Sequence, residues 1–460
     1  MDTLTKGQPT LIRRVAIIGG GFSGALQAIN LLRHSGPEAV LIERRPEAGR
    51  GVAYSAPHPA LLLNVRAENM SAFPDAPDHF CRWLEQRAIP ADDFVPRAIY
   101  GEYLAELLDQ AQRASPDRLR VVCASAVAVE SGHDGVRVHL DDGVVVSANA
   151  LVLALGNLPP VPPDNLHPEK MPAGTYAPNP WTADIARDLR ADETILIVGT
   201  GLTMVDAVLL LEEHGFRGRV VALSRRGLAP KKHGSGSPIA TKLSERPPLE
   251  ASTLLFEVRR RAVDVGWRAA IDELRPFTRS MWLAASAEQR RRFLRHLRPW
   301  WDVHRHRIAP AVAERLDRLR ANGRLVIVAG KTLSFTADSP DRVTARWRPR
   351  GQSRIEQLSV RRVINCSGPI VDIDRTEEPL LRQLRTAGLA ASDGLGLGLA
   401  TDREGRLVGA DGNVNERIYA LGPMTRGSFW EITAVPDIRI QTWTLARHLS
   451  NAHWVSAEGL

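Results

Sequence analysis

Two short stretches of the chain set glycines at fixed spacing between an apolar strand and an apolar helix. The first is VAIIGGGFSGALQAIN, residues 15–30. Its glycines follow Gly19-x-Gly21-x-x-Gly24, with Phe22 and Ser23 before the last one. In that spacing the first glycine makes a tight turn and the second lets backbone approach a pyrophosphate. The third lets the helix sit close to the strand. The N–H groups at the helix start then face the phosphates. Glu43 ends the following strand, 24 residues after Gly19. A carboxylate there accepts both hydroxyls of an adenosine ribose. Arg44 follows it at the same edge. Strand, turn, helix and terminal acid together point to a bound dinucleotide.

The second stretch is LIVGTGLTMVDAVLLL, residues 196–211, with the turn Gly199-Thr200-Gly201-Leu202-Thr203-Met204. Met204 stands where the third glycine would be, so helix and strand are held further apart, as suits an exchangeable cofactor. The next strand, VVALSRRG (220–227), ends in Ser224, Arg225 and Arg226 rather than an acid. An acid would repel a 2′-phosphate, whereas serine and arginine bind it. NADPH is therefore expected, with NADH the second choice. One turn holds a resident dinucleotide and the other a visiting one. The resident is expected to be FAD, because a flavin accepts the hydride that a nicotinamide delivers.

The elements that must position these turns give an α/β fold with two Rossmann-like dinucleotide-binding domains. The NAD(P) domain (186–355, with a helical insertion at about 245–322) interrupts a discontinuous FAD domain (1–185 and 356–460). Helices are expected around 78–87 and 98–113, and a β-meander over 119–147. The apolar strand ALVLALGNLPP stops at Gly156. Ser286 and Gln289 form a capping box. Strands resume at 324–329, 341–348, 361–369 and 416–423, followed by a helix starting near Trp430.

The 460 residues are 44% hydrophobic and 24% charged, ordinary for a globular chain of two or three domains. No apolar run reaches 18 residues, so no membrane span is expected. The opening MDTLTKGQPTLIRR has no apolar core, which argues against a secretory signal and for a cytoplasmic location. The net charge is +8, from 60 basic and 52 acidic residues. The basic residues do not pool into a stripe interleaved with aromatics, so nucleic acid is not an expected partner. Cys81, Cys123 and Cys366 form no CxxC pair. A disulfide framework, a zinc site, an iron–sulfur centre and a redox-active dithiol are all unexpected.

The chain resembles the two-dinucleotide-domain flavoproteins that include the flavin-containing and N-hydroxylating monooxygenases. More narrowly, it is similar to a bacterial group of FAD/NAD(P)-binding proteins. GVAYSAPHPALLLNVRAENMSAFPDAPDHFCRWL (51–84), RAIYGEYL (97–104) and LGPMTRGSFWEITAVPDIR (421–439) carry that resemblance. The group includes a flavoprotein urate hydroxylase and amino-acid N-oxygenases. The resemblance implies that Gly422 and Pro423 approach the flavin, although the wider superfamily often has Gly-Asp there. It also implies that Met70 and Ser71 cover the flavin, that Asn64 bonds its edge, and that Trp430 and Glu431 begin the helix aimed at its pyrimidine side. Arg97 and Tyr100 reach the cofactor or pack their helix. Oxygen transfer to a small nucleophilic substrate through a flavin C4a-hydroperoxide follows by the same resemblance, with O₂ as co-substrate. Urate to 5-hydroxyisourate is the first expectation. The alternatives are amino-acid N-oxygenation, an NAD(P)H:acceptor reductase or oxidase, and a non-catalytic flavin-binding regulator. RHLRPWWDVHRHR (295–307) offers His304, Arg305 and Arg307 to an anionic substrate. KKHGSGSP (231–238) is a plain loop, clamps the visiting cofactor or forms a lid.

Overall fold

The structure is a computed structural model that describes residues 12–55, 58–90, 93–181, 184–234 and 243–450. The chain opens with β1 (Arg14–Ile18), α1 (Phe22–Arg33), β2 (Glu38–Glu43) and the short α2 (Gly51–Tyr54). Next come α3 (His79–Glu85), α4 (Arg97–Ala114) and β3 (Leu119–Cys123). The strands β4 (Ala126–Gly132), β5 (Gly135–Leu140), β6 (Val145–Ala148), β7 (Ala150–Leu153) and β8 (Tyr176–Ala177) follow. The second glycine turn lies between β9 (Thr194–Val198) and α5 (Leu202–Glu213), ahead of β10 (Arg219–Ser224). The helical insertion is α6 (Ala251–Asp272), α7 (Thr278–Ala284), α8 (Ala287–His296), α9 (Arg298–Arg305) and α10 (Pro310–Ala321). The remainder is β11 (Leu325–Ser339), β12 (Arg342–Pro349), β13 (Glu356–Val360), β14 (Arg362–Asn365), α11 (Pro379–Thr386), β15 (Arg406–Val408), β16 (Val414–Ala420) and α12 (Val435–Leu449).

Two large sheets result. The first runs β15-β16-β7-β1-β2-β3, parallel except for the β15–β16 pair. Strand β1 is covered on both faces beyond its exposed first residue, Arg14, which is why Val15–Ile18 are all apolar. Val15 and Ile17 join α1, α3, α4 and α12 in one core layer. Ala16 and Ile18 face β4–β6 and α11 in the other. The second sheet runs β13-β12-β11-β10-β9-β14-β8. Ile195 and Ile197 of β9 pack on α5 and α10. Leu196 turns to the other face, against the β11–β13 ribbon that bears Phe335, Val343 and Trp347.

Three local expectations need correcting. The segment 119–147 is not one meander. Strand β3 pairs in parallel with β2, and only β4–β6 form the antiparallel sheet, because Leu119 belongs to the helix-side core. The last helix starts at Val435, not near Trp430, with Ala434 in extended backbone and a proline in the first turn. The strands of the second sheet run from Tyr176 to Asn365, so the segment 361–369 belongs with β9 rather than with the first sheet. The helices at 78–87 and 98–113 and the Ser286–Gln289 capping box are present.

Candidate functional site

Each glycine turn sits at the carboxyl end of its sheet. At the first, Gly19 has φ +99° and its N–H donates to the Ile42 carbonyl (2.8 Å). A Cβ there would stand 2.3 Å from the Ala154 carbonyl oxygen, and one on Gly24 would stand 1.8 Å from that of Gly19. Strand and helix therefore touch backbone to backbone. Gly21 caps α1 without any side chain taking its free N–H groups. That leaves an anion-binding helix start, with Phe22 and Ser23 in its first turn. The opposite wall is Gly51, whose Cβ, if present, would be 3.0 Å from the Gly21 Cα. Sequence reasoning missed Gly49 and Gly51. The signal was the Gly-Arg-Gly run soon after the acid-bearing strand.

Glu43 is buried, with one carboxylate oxygen 2.6 Å from the Gly20 N–H and the other 3.0 Å from the Arg45 N–H. It fixes the turn, and each oxygen retains a lone pair for a ribose hydroxyl. Arg44 lies against Glu378 at 3.4 Å on the surface.

The C-terminal segment closes over this cradle. Gly422 has φ +71°, donates to the Gln441 side chain (2.8 Å), and a Cβ on it would lie 2.7 Å from the Ser23 Oγ. Gly422 and Pro423 therefore sit directly on the first turn of α1. Trp430 and Glu431 lie in the turns before α12 rather than in it. Met70 and Ser71 are fully buried. The Ser71 hydroxyl donates to the Ala76 carbonyl (2.6 Å), and its carbonyl accepts from Arg439 (3.0 Å). Gly156 has φ +66° and open space at its Cβ position. Tyr100 is buried in an aromatic cluster with Tyr54, Phe80 and Tyr103.

The second cradle is more open. Gly199 has φ +111°, and a Cβ there would meet the Cys366 carbonyl oxygen at 2.0 Å. Gly201 has nothing within 4 Å of its Cβ position, and no side chain caps α5 at Leu202 and Thr203. The Ser224 hydroxyl is tied to Thr200 Oγ1 (2.8 Å) and accepts the Gly227 N–H (3.0 Å), so it shapes the turn. Arg225 is exposed, whereas Arg226 donates to the Arg295 carbonyl on α8 (3.1 Å). In KKHGSGSP, residues 235–238 lie outside the described residues. The His233 Nε2 lies 3.0 Å from the Asn64 carbonyl oxygen, and the Gly234 carbonyl accepts from Arg66. Asn64 is thus a link between the two units.

A second link was not foreseen. Arg97 on α4 meets Asp206 on α5 at 2.9 Å, with side chains only 14% and 8% exposed. Arg97 also donates to the Leu62 carbonyl (3.1 Å) and lies 5.7 Å over the Trp181 ring. It is a strut between the units.

The residues offered for an anionic substrate separate. Arg307 is buried and forked onto Asp272 (2.9 and 3.0 Å), with further bonds to the His304 and Arg268 carbonyls. It is committed within the insertion. The His304 ring lies against Trp267 and the Trp300 carbonyl. Arg305 alone turns toward the C-terminal segment, 3.4 Å from Glu431. Trp430 stacks on Trp282 (4.7 Å, 22°) beside it.

Residues 16–158 match a family model described as FAD-NAD(P)-binding. The chain is 32% identical over 173 residues to an L-aspartate N-monooxygenase (nitrosuccinate-forming) of Streptomyces davaonensis, across 33% of this chain. It spans about a quarter of that relative's length, 26%. Among solved structures it superposes on the L-lysine 6-monooxygenase of Pseudomonas syringae with a TM-score of 0.67, at 16% identity over 95% of this chain and 99% of that one. The ornithine N-hydroxylase of Kutzneria sp. 744 gives 0.65, at 15% identity over 96% and 99%. At such identities the likeness shows the fold, and the paired dinucleotide cradles are that fold.

Proposed function

We propose that the chain is an FAD-dependent, NADPH-using monooxygenase that N-hydroxylates a small amine, with an amino acid as the leading candidate. The observation that carries this reading is the pair of glycine cradles in one chain without a dithiol partner. Cys81, Cys123 and Cys366 are all free, and Cys366 is buried, with its thiol pushed far above the ordinary range by that burial. Electrons entering at the second cradle thus have no protein disulfide to reduce, and among the remaining acceptors, O₂, a quinone or carrier protein and the substrate itself, the names of the similar N-monooxygenases favour O₂. Bound FAD supplies the chemistry of oxygen activation. In the reaction an amine, O₂, NADPH and a proton give a hydroxylamine, water and NADP⁺.

The chain's own residues supply binding and orientation. Gly21 and Gly51 admit the pyrophosphate of FAD to the start of α1, and Glu43 accepts its ribose. Gly422 closes the first turn from above. Gly201 leaves room for the NADPH pyrophosphate, with Arg225 as the 2′-phosphate contact. No helix among the described residues is long and apolar enough to cross a membrane.

The names of the relatives above favour an amine over urate, and Arg307, offered for urate, is occupied by Asp272. A panel assay with the FAD-loaded protein tests the reading. NADPH oxidation, oxygen uptake and hydroxylamine formation are measured with aspartate, ornithine, lysine and urate. Oxygen uptake tied to a hydroxylamine from one of the amines is expected. Oxygen recovered wholly as peroxide, whatever amine is added, would refute the monooxygenase reading, and uptake stimulated by urate alone would replace the amine.

A further inference from the structure

The helical insertion and the C-terminal segment enclose a charge cluster that neither glycine cradle uses. Glu431 is its hub. One of its carboxylate oxygens lies 3.4 Å from Arg305, both side chains being largely buried, and the other accepts the Trp301 indole N–H (2.8 Å). Asp437 faces Arg275 at 3.7 Å. Arg426 stands over the Trp430 ring at 5.5 Å, and its Nε is buried without a hydrogen-bond partner. Arg439 donates to the Ser71 carbonyl but leaves its Nε equally unpartnered. With Arg298 and Asp302 (3.4 Å), five guanidiniums meet three carboxylates, an excess of two positive charges. His306 adds no charge at neutral pH, because burial, then Arg305, pulls it down to about 4. The cluster begins four residues after Gly422, which rests on Ser23, and Arg439 ties it to the loop that holds Met70 and Ser71.

We propose that this cluster is the substrate's anion site and selects an amino dicarboxylate, with Arg275 and Arg426 each receiving one carboxylate. The inference rests on the N-oxygenase reading. Arg305 and Arg426 are the deeply buried cations of the cluster, Arg275 and Arg298 being 37% and 34% exposed at its mouth, and a buried cation is costly until matched by an anion. An amine that attacks an electrophilic oxygen must be the free base, so an amino dicarboxylate enters as a dianion and cancels the excess. Ornithine or lysine, with its reacting amine uncharged, still carries one ammonium and one carboxylate. It cancels nothing and sets an ammonium among guanidiniums. The planar fork of arginine also matches a carboxylate in two-point contact. Surrounding positive charge further favours the free-base amine over the ammonium form.

The test uses the full-length, FAD-loaded protein and two readouts. First, succinate, a dicarboxylate that cannot be oxygenated, is titrated by calorimetry. Binding is expected, with Arg275→Gln and Arg426→Gln each weakening it about tenfold or more, and 1,5-diaminopentane is expected to give no heat. Second, aspartate is compared with asparagine, which has one negative charge fewer. Each variant should cut the aspartate-to-asparagine ratio of kcat/KM about tenfold or more, mainly through KM. Arg275→Gln carries the test if Arg426→Gln does not fold. Failure of succinate to bind the parent protein overturns the proposal. So does an equal loss of both substrates at unchanged KM, which marks a structural role. Succinate binding without oxygen uptake on any amine keeps the anion site and rejects N-oxygenation. Turnover of lysine or ornithine without succinate binding does the reverse.

Discussion

Replacing Arg97 by methionine removes the strut between the two units at nearly constant volume, and the structure sets the size of the effect. The pair it breaks is mostly buried, with contacts of 2.9 and 3.3 Å to the two Asp206 oxygens. Removing one member of such a pair costs about 3–5 kcal/mol, because the survivor is left uncompensated. Asp206 has an escape, which is to bind a proton. Burial already raises its carboxyl above the ordinary range, against the opposing pull of Arg97. Protonating a carboxyl of ordinary value ~3.9 at pH 7 costs about 1.4 kcal/mol per pH unit, so roughly 4 kcal/mol is the ceiling for the charge part. A carboxyl raised in the folded state gives stability that is full below the unfolded value and is lost as pH rises through the folded one. The deficit of Arg97→Met should therefore be about 3–4 kcal/mol at pH 7 and shrink below about 2 kcal/mol at pH 5. Adding Asp206→Leu should recover most of it, since a buried pair exchanged for apolar side chains is often neutral. Urea unfolding followed by tryptophan fluorescence at both pH values measures this. A deficit of the same size at both, or one under about 0.5 kcal/mol at pH 7, would refute the reasoning.

Gly24→Ala puts a methyl 1.8 Å from a backbone oxygen that cannot retreat, whereas Gly132→Ala meets nothing within 4 Å. The first should lose the 450 nm flavin absorbance or the fold, and the second should stay within about 0.5 kcal/mol of the parent. Arg225→Ala should raise KM for NADPH roughly tenfold to a hundredfold with little change for NADH, the loss of one charge-assisted contact. Arg226→Ala should do less, its guanidinium being engaged with the Arg295 carbonyl; an NADPH preference surviving both changes would clear these arginines of reading the 2′-phosphate. His306 has its folded value pulled to about 4 from 6.5. Its contribution to stability is present above pH 6.5 and lost as pH falls through that range toward 4, so His306→Asn should flatten the acid side of the stability curve. An unchanged slope would place the acid sensitivity elsewhere.

What was legible in the sequence was whatever depends on neighbours along the chain. The glycine spacing, the Glu43 strand end and the Ser286 capping box are local, and each formed as its spacing required. Contacts between distant segments were not legible. Arg97 looked like a cofactor or packing residue because Asp206 is 109 positions away. Arg307 looked like a ligand for an anion because nothing nearby in sequence announces Asp272, which forks it from α6. Trp430 and Glu431 were expected to begin a helix from the resemblance of 421–439 to a flavin-binding segment, which carries no information on where the helix starts in this chain. The extended Ala434 and the following proline delay that helix to Val435.

The two cradles, nearly alike on paper, differ where it bears on the proposed chemistry. At the first, a Cβ on Gly24 would fall 1.8 Å from the Gly19 carbonyl oxygen, so only glycine lets α1 sit this close to the turn, and three further segments gather around it. Gly51 stands opposite Gly21, Gly422 rests on Ser23, and the Ser71 loop is tied to α12 through Arg439. A dinucleotide held there leaves only if several segments separate together, a slow event of the kind that keeps a cofactor resident. At the second, Met204 in place of the third glycine is wholly buried between α5 and its sheet, and Gly201 faces open space. In the proposed reading a dinucleotide there would meet one helix start and the Arg225 edge, and would exchange without unpacking any core. Electron flow from a cofactor that must leave after each turnover to one that must stay requires that asymmetry, and the third glycine position, with the Gly-Arg-Gly run beside the first turn, marks it in the sequence.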